Sequence, residues 1–212
     1  MIRGLYTATN GMLYQRRKLD TIANNMANIS TPGYKKDNTI VRPFQDELVV
    51  RIEKGEPNPV NEIGYINHGV YIERINTSFT DGNLEETNEL THIAIQGDGF
   101  FTVLTEDGVR YTRDGSFHID ENGLLVTAEG YPVAGIDGQA IAVGDQSFEV
   151  DRAGNIIIAG NIVNQLQLVS FNNPLGLEKI GDNLFINAPG NEPIEFQGEV
   201  FQGYLETSNV DP

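Results

Sequence analysis

The sequence predicts an α+β, mainly β fold: a long N-terminal amphipathic helix followed by an antiparallel β-rich domain. Three observations carry this. Residues 3–29 hold no proline, and their apolar side chains return every seven residues. From Gly64 onward, short runs rich in Val, Ile, Phe, Tyr and Thr alternate with Asp-Gly and Asn-Gly dipeptides. No helical period returns in that part, so hairpins are expected rather than strands joined by crossover helices.

The helix comes first. Leu5, Met12, Leu19 and Met26 occupy one heptad position, and Ala8, Gln15, Ile22 and Ile29 the position three further on; seven of the eight are apolar. A helix that only caps its own core shows a wider apolar stripe and runs about 11 or 12 residues. The narrow stripe here extends about 37 Å at 1.5 Å per residue, and reads as a coiled-coil seam that needs a facing helix. An uncovered seam is expected to find cover in a second copy or on the chain's own β domain, because apolar burial stabilises by about 25 cal/mol per Å². Asn24, Asn25 and Asn28 are poor interior helix formers. They read either as a fraying end or as groups bonding across a close helix–helix contact. Ser30-Thr31-Pro32-Gly33 ends the element, since proline cannot continue a helix and restricts the residue before it.

Residues 37–62 are mixed, with an apolar-periodic piece around Phe44 and Leu48 and the loop Gly55-Glu56-Pro57-Asn58-Pro59. They read as a connector. The β region follows, with turns at Asp81-Gly82, Asp98-Gly99, Asp107-Gly108, Asp114-Gly115, Asn122-Gly123 and Asp137-Gly138. Strands are expected at 69–79, 92–96, 100–105, 109–113, 116–119, 124–127, 147–150, 155–158, 164–171, 183–187 and 194–206. At the far end Asp211-Pro212 carries the signature of a helix start, a favoured N-cap followed by proline at the first helical position.

Charge divides unevenly. Residues 1–36 carry six basic groups and one acidic group, a balance of +5, which leaves −21 on the remainder of a chain whose net charge is −16. An acidic body disfavours nucleic acid. Arg16 and Lys18 flank the seam, where charges select partners, so an acidic-flanked partner is expected. The chain has no cysteine, which excludes disulfides and thiolate chemistry. The sequence has no apolar run of membrane-spanning length and no apolar stretch of a secretory signal near Met1.

Catalytic chemistry is hard to find. His68, His92 and His118 have no metal-ligand spacing. Most carboxylates sit in turns, where Asp bonds its own backbone. Gln96-Gly97-Asp98-Gly99-Phe100 has no Gly-Lys-Ser/Thr after it and reads as a tight hairpin, not a phosphate loop. Asp120-Glu121-Asn122-Gly123 and Asp151-Arg152-Ala153-Gly154-Asn155 are fragments of calcium loops without the full ligand series. No Gly-x-Ser-x-Gly elbow is present. No enzyme, catalytic residue, metal site or cofactor is expected.

The stretches Gly4-Leu5-Tyr6-Thr7-Ala8, Gly11-Met12, Leu19-Asp20 and Ile22-Ala23-Asn24-Asn25-Met26-Ala27-Asn28, followed by Thr31-Pro32-Gly33-Tyr34-Lys35, resemble the N-terminal signature of bacterial flagellar basal-body rod and hook proteins. Residues 94–101 and 111–117 resemble the core β-domain motifs of the rod branch, and 130–132, 165–169, 173–177, 181–185 and 202–211 also match. The likeness is distal-rod-like and covers nearly the whole chain, with 37–80 least diagnostic.

The resemblance implies a structural axial subunit with a hook/rod-core β domain. It implies export by the flagellar type III apparatus without a cleaved signal peptide, and helical polymerisation in the extracytoplasmic basal body through terminal helices. Its partners would be copies of itself, neighbouring rod and hook subunits and the export apparatus, with no nucleic acid and no small-molecule substrate. Asn24, Asn25, Asn28, Thr31, Pro32, Gly33 and Tyr34 form the signature; Leu5, Ala8, Met12, Gln15, Leu19, Ile22, Met26 and Ile29 form the helix seam. The expected partition is 1–36 helix and turn, 37–80 connector with extended segments, 81–207 β core, and 208–212 the start of a C-terminal helix expected to be missing from this chain. A different class also fits the pattern: a secreted β-rich binding or adhesion module that its N-terminal helix merely oligomerises. A carboxylate-based hydrolase stands third.

Overall fold

A computed structural model describes residues 2–52, 60–144 and 147–211. The loop expected at 55–59 and the terminal Pro212 lie outside the described residues. The chain forms two compact units, one of Met1–Asn25 with Asp37–Thr77, the other of Met26–Lys36 with Ser78–Pro212.

In the first unit, α1 (Ile2–Ala27) is an unbroken helix of 26 residues, as the proline-free heptad stretch requires. The stretch read as a connector carries four strands: β1 (Asp37–Pro43), β2 (Glu47–Ile52), β3 (Val60–Ile66) and β4 (Val70–Thr77). β1 pairs with β4 and β2 with β3, each antiparallel and each with one register shift. The regular alternation of a half-buried strand is missing from the sequence here because both pairs stay largely exposed. Ile63 and Tyr65 are 65% and 74% exposed.

The second unit carries the core. Its strands are β5 (Leu84–Glu86), β6 (Ile93–Gln96), β7 (Phe100–Thr105), β8 (Gly108–Thr112), β9 (His118–Ile119), β10 (Leu125–Val126), β11 (Phe148–Val150), β12 (Asn155–Ile158), β13 (Asn161–Gln165), β14 (Leu168–Phe171), β15 (Leu177–Gly181), β16 (Leu184–Asn187), β17 (Pro193–Glu195), β18 (Glu199–Gln202) and β19 (Tyr204–Glu206). Six of them make one sheet in the order β15-β16-β8-β7-β14-β17, and β11-β12-β13 make a second. Every strand pairing among the described residues is antiparallel.

Successive side chains on a strand point to opposite faces, and β7 uses this to serve two cores. Phe101 lies in a large cluster with Ile93, Phe117, Leu125, Phe148 and Ile156, while Phe100 lies in a smaller one with Phe171, Leu177 and Phe185. Aromatic pairs hold both: Phe101 meets Phe117 edge-on at 5.0 Å, and Tyr111 meets Phe171 at 5.0 Å.

Three expectations are corrected. Gln96–Phe100 is not a hairpin, because β6 pairs with β18 while β7 pairs with β8 and β14; the loop passes the chain between sheets. The run 194–206 is three strands, divided at 196–198 and again at Gly203, whose φ of +79° lies in the left-handed region that glycine tolerates. The run 164–171 divides into β13 and β14. The two calcium-like fragments are equivalent hairpin loops, described next.

Phe117–Ile119, an Asp-x-x-Gly loop and Leu125 repeat thirty-one residues on as Phe148–Val150, Asp-x-x-Gly and Ile156. In both, one carboxylate oxygen accepts the backbone N–H groups two and four residues ahead: Asp120 those of Asn122 and Leu124, Asp151 those of Ala153 and Asn155. Gly123 and Gly154 close the two loops at φ +78° and +80°. These carboxylates serve as caps for their own loops.

Candidate functional site

α1 presents two different faces. Thr7, Asn10, Tyr14 and Thr21 fall on the side opposite the heptad seam, and this polar side meets the strands of the helix's own unit. Thr7 Oγ1 donates to the carbonyl of His68, and the hydroxyls of Thr21 and Thr39 lie 3.1 Å apart. Asn10 and Tyr14 line a groove with Val70, Tyr71 and Ile72. Asn25 holds Asp37 at both backbone groups, accepting its N–H at 2.9 Å and donating to its carbonyl at 2.8 Å. Asn25 is thereby tied to a backbone segment of its own unit.

The seam side is left open. Leu5, Met12, Leu19 and Met26 are 64–67% exposed and Ile22 is 45% exposed; Ala8 and Gln15 are exposed as well, and Ile29, beyond the helix end, is half-buried. Within its own unit the strands that the helix meets take its polar side.

The segment after the helix is gripped within the second unit. Thr31 N–H and Tyr34 N–H continue the turn by donating to the carbonyls of Asn28 and Thr31, and Thr31 Oγ1 lies 3.3 Å from Asn28 Oδ1. Gly33, at φ +63°, donates its N–H to the carbonyl of Glu206 at 2.7 Å. A Cβ on it would strike the backbone of Arg113. Asn183 Nδ2 donates to the carbonyl of Pro32, and Lys179 Nζ donates to the carbonyl of Lys35 while sitting 4.0 Å from the centre of the Tyr34 ring. Asn209 accepts the N–H of Lys36 and donates to the carbonyl of Ser78.

Beneath this segment lies a buried ionic group that the sequence did not reveal. Lys35 Nζ is 2.6 Å from Glu206 Oε1, and Arg113 Nε is 2.9 Å from Glu206 Oε2. Arg113 also bonds Asp81 at 2.6 Å and the carbonyls of Gly97 and Gly99 at 2.7 Å each. Lys35 also donates to the carbonyl of Thr80, and Gly82 N–H donates to Glu206 Oε1. Lys35, Arg113 and Glu206 are 1%, 3% and 2% exposed. Burial holds the Lys35 ammonium below its usual pKa, against the opposing pull of Glu206. All three lie inside stretches that carried the family resemblance, but nothing in one sequence says that positions 171 and 93 residues apart meet.

His68 bonds Glu47 and His92 bonds Thr87, each at about hydrogen-bond distance (3.0 and 2.9 Å). Among the described residues no group of three or more His, Cys, Asp or Glu could hold a metal ion, and no helix is long and apolar enough to cross a membrane.

Residues 5–35 match the model of the flagella basal body rod protein family, and residues 94–163 match the flagellar hook protein FlgE/F/G D1 domain. The flagellar basal-body rod protein FlgG of Borreliella burgdorferi is 36% identical across 99% of this chain and 85% of its own length. The chain belongs to the flagellar basal-body rod protein family. Other relatives of this rod-family chain are the flagellar hook-basal body complex protein FlhO of Bacillus subtilis, 34% identical over 100% of the chain and 86% of its own length, and FlgF of Caulobacter vibrioides, 32% identical over 100% and 84%. The rod-family match ends at Lys35, so it spans both the open seam and the gripped segment that follows.

Proposed function

We propose that the protein is a structural subunit of the bacterial flagellar basal-body rod, polymerising helically through its terminal helices with copies of itself and with neighbouring rod and hook subunits. It works as a building block, not a catalyst. It reaches the extracytoplasmic basal body through the flagellar type III export apparatus, without a cleaved signal peptide. Leu5, Ala8, Met12, Gln15, Leu19, Ile22 and Met26 are its assembly seam, and Asn24 to Tyr34 order the exit from it. The observation that carries the reading is the open apolar seam on a helix whose opposite face is already engaged.

The experiment is a strain deleted for the gene, examined by electron microscopy. The axial structure is expected to stop within the basal body, with no hook or filament, and to be restored by the intact gene. A complete hook and filament in the deletion strain refutes the assignment and favours an oligomeric binding module.

A further inference from the structure

We infer that Lys35, Arg113 and Glu206 are positioning residues: a buried, charge-balanced lock that fixes the segment 31–36 and the segment 204–210 against each other as one rigid pair. The lock joins three distant parts of the chain, and each supplies a charge with nearly no access to water. Lys35 and Arg113 bring two positive charges, Glu206 and Asp81 two negative ones, so the group is neutral as a whole. Its bonds are directional. Both carboxylate oxygens of Glu206 are taken, by Lys35 and Gly82 on one and Arg113 on the other, and its backbone carbonyl receives Gly33. Each buried charge has its counter-charge within hydrogen-bond distance, so the group holds while it is balanced and is disrupted when one partner is left alone. Lys36 and Asn209 continue the same pairing outward. The assembly role of the lock rests on the rod reading: subunits that join through their terminal segments need those segments delivered in one fixed relation.

The test is amide hydrogen exchange on the intact protein, comparing Lys35→Met, Glu206→Gln and the double variant. Each single substitution leaves one buried charge unbalanced, and exchange at the Gly33, Lys36 and Asn209 amides should accelerate by about 100-fold or more. The amides of Leu125 and Val133, bonded inside the core, should change far less. The double variant leaves Arg113 with Asp81, a balanced pair, and should return the three reporters to within about tenfold of the parent. Equal acceleration at all amides, no acceleration, or a double variant worse than either single refutes the lock. If the singles fail to fold, the double decides alone, and its failure to fold also refutes it. Normal swimming of a Lys35→Met strain, with the expected exchange pattern, removes the assembly role and leaves the rod reading standing. A complete flagellum in the deletion strain does the reverse.

Discussion

Replacing Leu19 and Ile22 together by Asp separates a helix that serves its own domain from one that serves a partner. Leu19 is 64% exposed and Ile22 45% exposed in the free chain. Part of what is covered is shielded by adjacent turns of α1 itself. The free chain should therefore lose about 1–2 kcal/mol at most, including roughly 0.5 kcal/mol per Asp in helix propensity. In the assembly the account differs. Each apolar side chain would forfeit about 1–2 kcal/mol of further burial, and each carboxylate would be taken from water at several kcal/mol per ion. A loss of about 4 kcal/mol per contact lowers the association constant about 1,000-fold. Thermal unfolding of the purified variant should stay within a few degrees of the parent, while motility and rod formation in a complemented deletion strain should be abolished. Motile cells carrying both Asp residues would refute the seam. So would a collapse of the melting temperature, because it would mean that the seam packs within its own chain.

Gly33→Ala should destabilise the protein by about 1–2 kcal/mol from the left-handed backbone alone, and by more because its Cβ meets the Arg113 backbone. Gly138→Ala, at φ +75° with open space around it, isolates the backbone effect, and melting curves that rank the two equally would refute the close approach. Acid should weaken the two Asp-x-x-Gly loops. The Leu124 N–H holds the Asp120 carboxyl below its usual pKa, and the Asn155 side chain does so for Asp151. Both groups then stabilise the fold above the unfolded value of about 3.9, and the contribution fades as pH falls through the lower folded values. Asp120→Asn with Asp151→Asn should flatten the dependence of melting temperature on pH between about 5 and 2, and an unchanged slope would refute it.

The extent of α1 was legible because a proline-free heptad over 26 residues leaves few alternatives. The core strands β7, β12 and β16 were legible for a related reason: Phe100-Phe101, Ile156 and Phe185 sit in short apolar runs bounded by turn chemistry. β1, β2 and β3 were not, since their pairs bury little, and a strand without a buried face has no alternation to read. Gly198 and Gly203 hid inside one run of strand-forming residues, so three strands read as one. The Asp-x-x-Gly loops were legible as turns because Asp bonds its own backbone there, and the structure shows those bonds. The buried lock was silent for the plainest reason. Lys35, Arg113 and Glu206 each look like solvent-exposed charges, and only the fold brings Lys35 to 2.6 Å and Arg113 to 2.9 Å from Glu206.

The helix carries the same lesson in a form that bears on function. A heptad reading treats the side opposite the apolar seam as the solvent face. In this chain that side holds Thr7, Asn10, Tyr14 and Thr21, and it is the side that meets protein. Thr7 and Asn25 tie the helix to the carbonyls of His68 and Asp37, an attachment that leaves the heptad stripe unspent. A helix attached by its apolar stripe would have nothing left to offer a neighbouring subunit. Attached by its polar stripe, it keeps Leu5, Met12, Leu19 and Met26 available, and the two faces become separable by mutation. Thr21→Val should loosen the helix from β1 and leave the seam competent, whereas Leu19→Asp should leave the attachment intact and disable the seam.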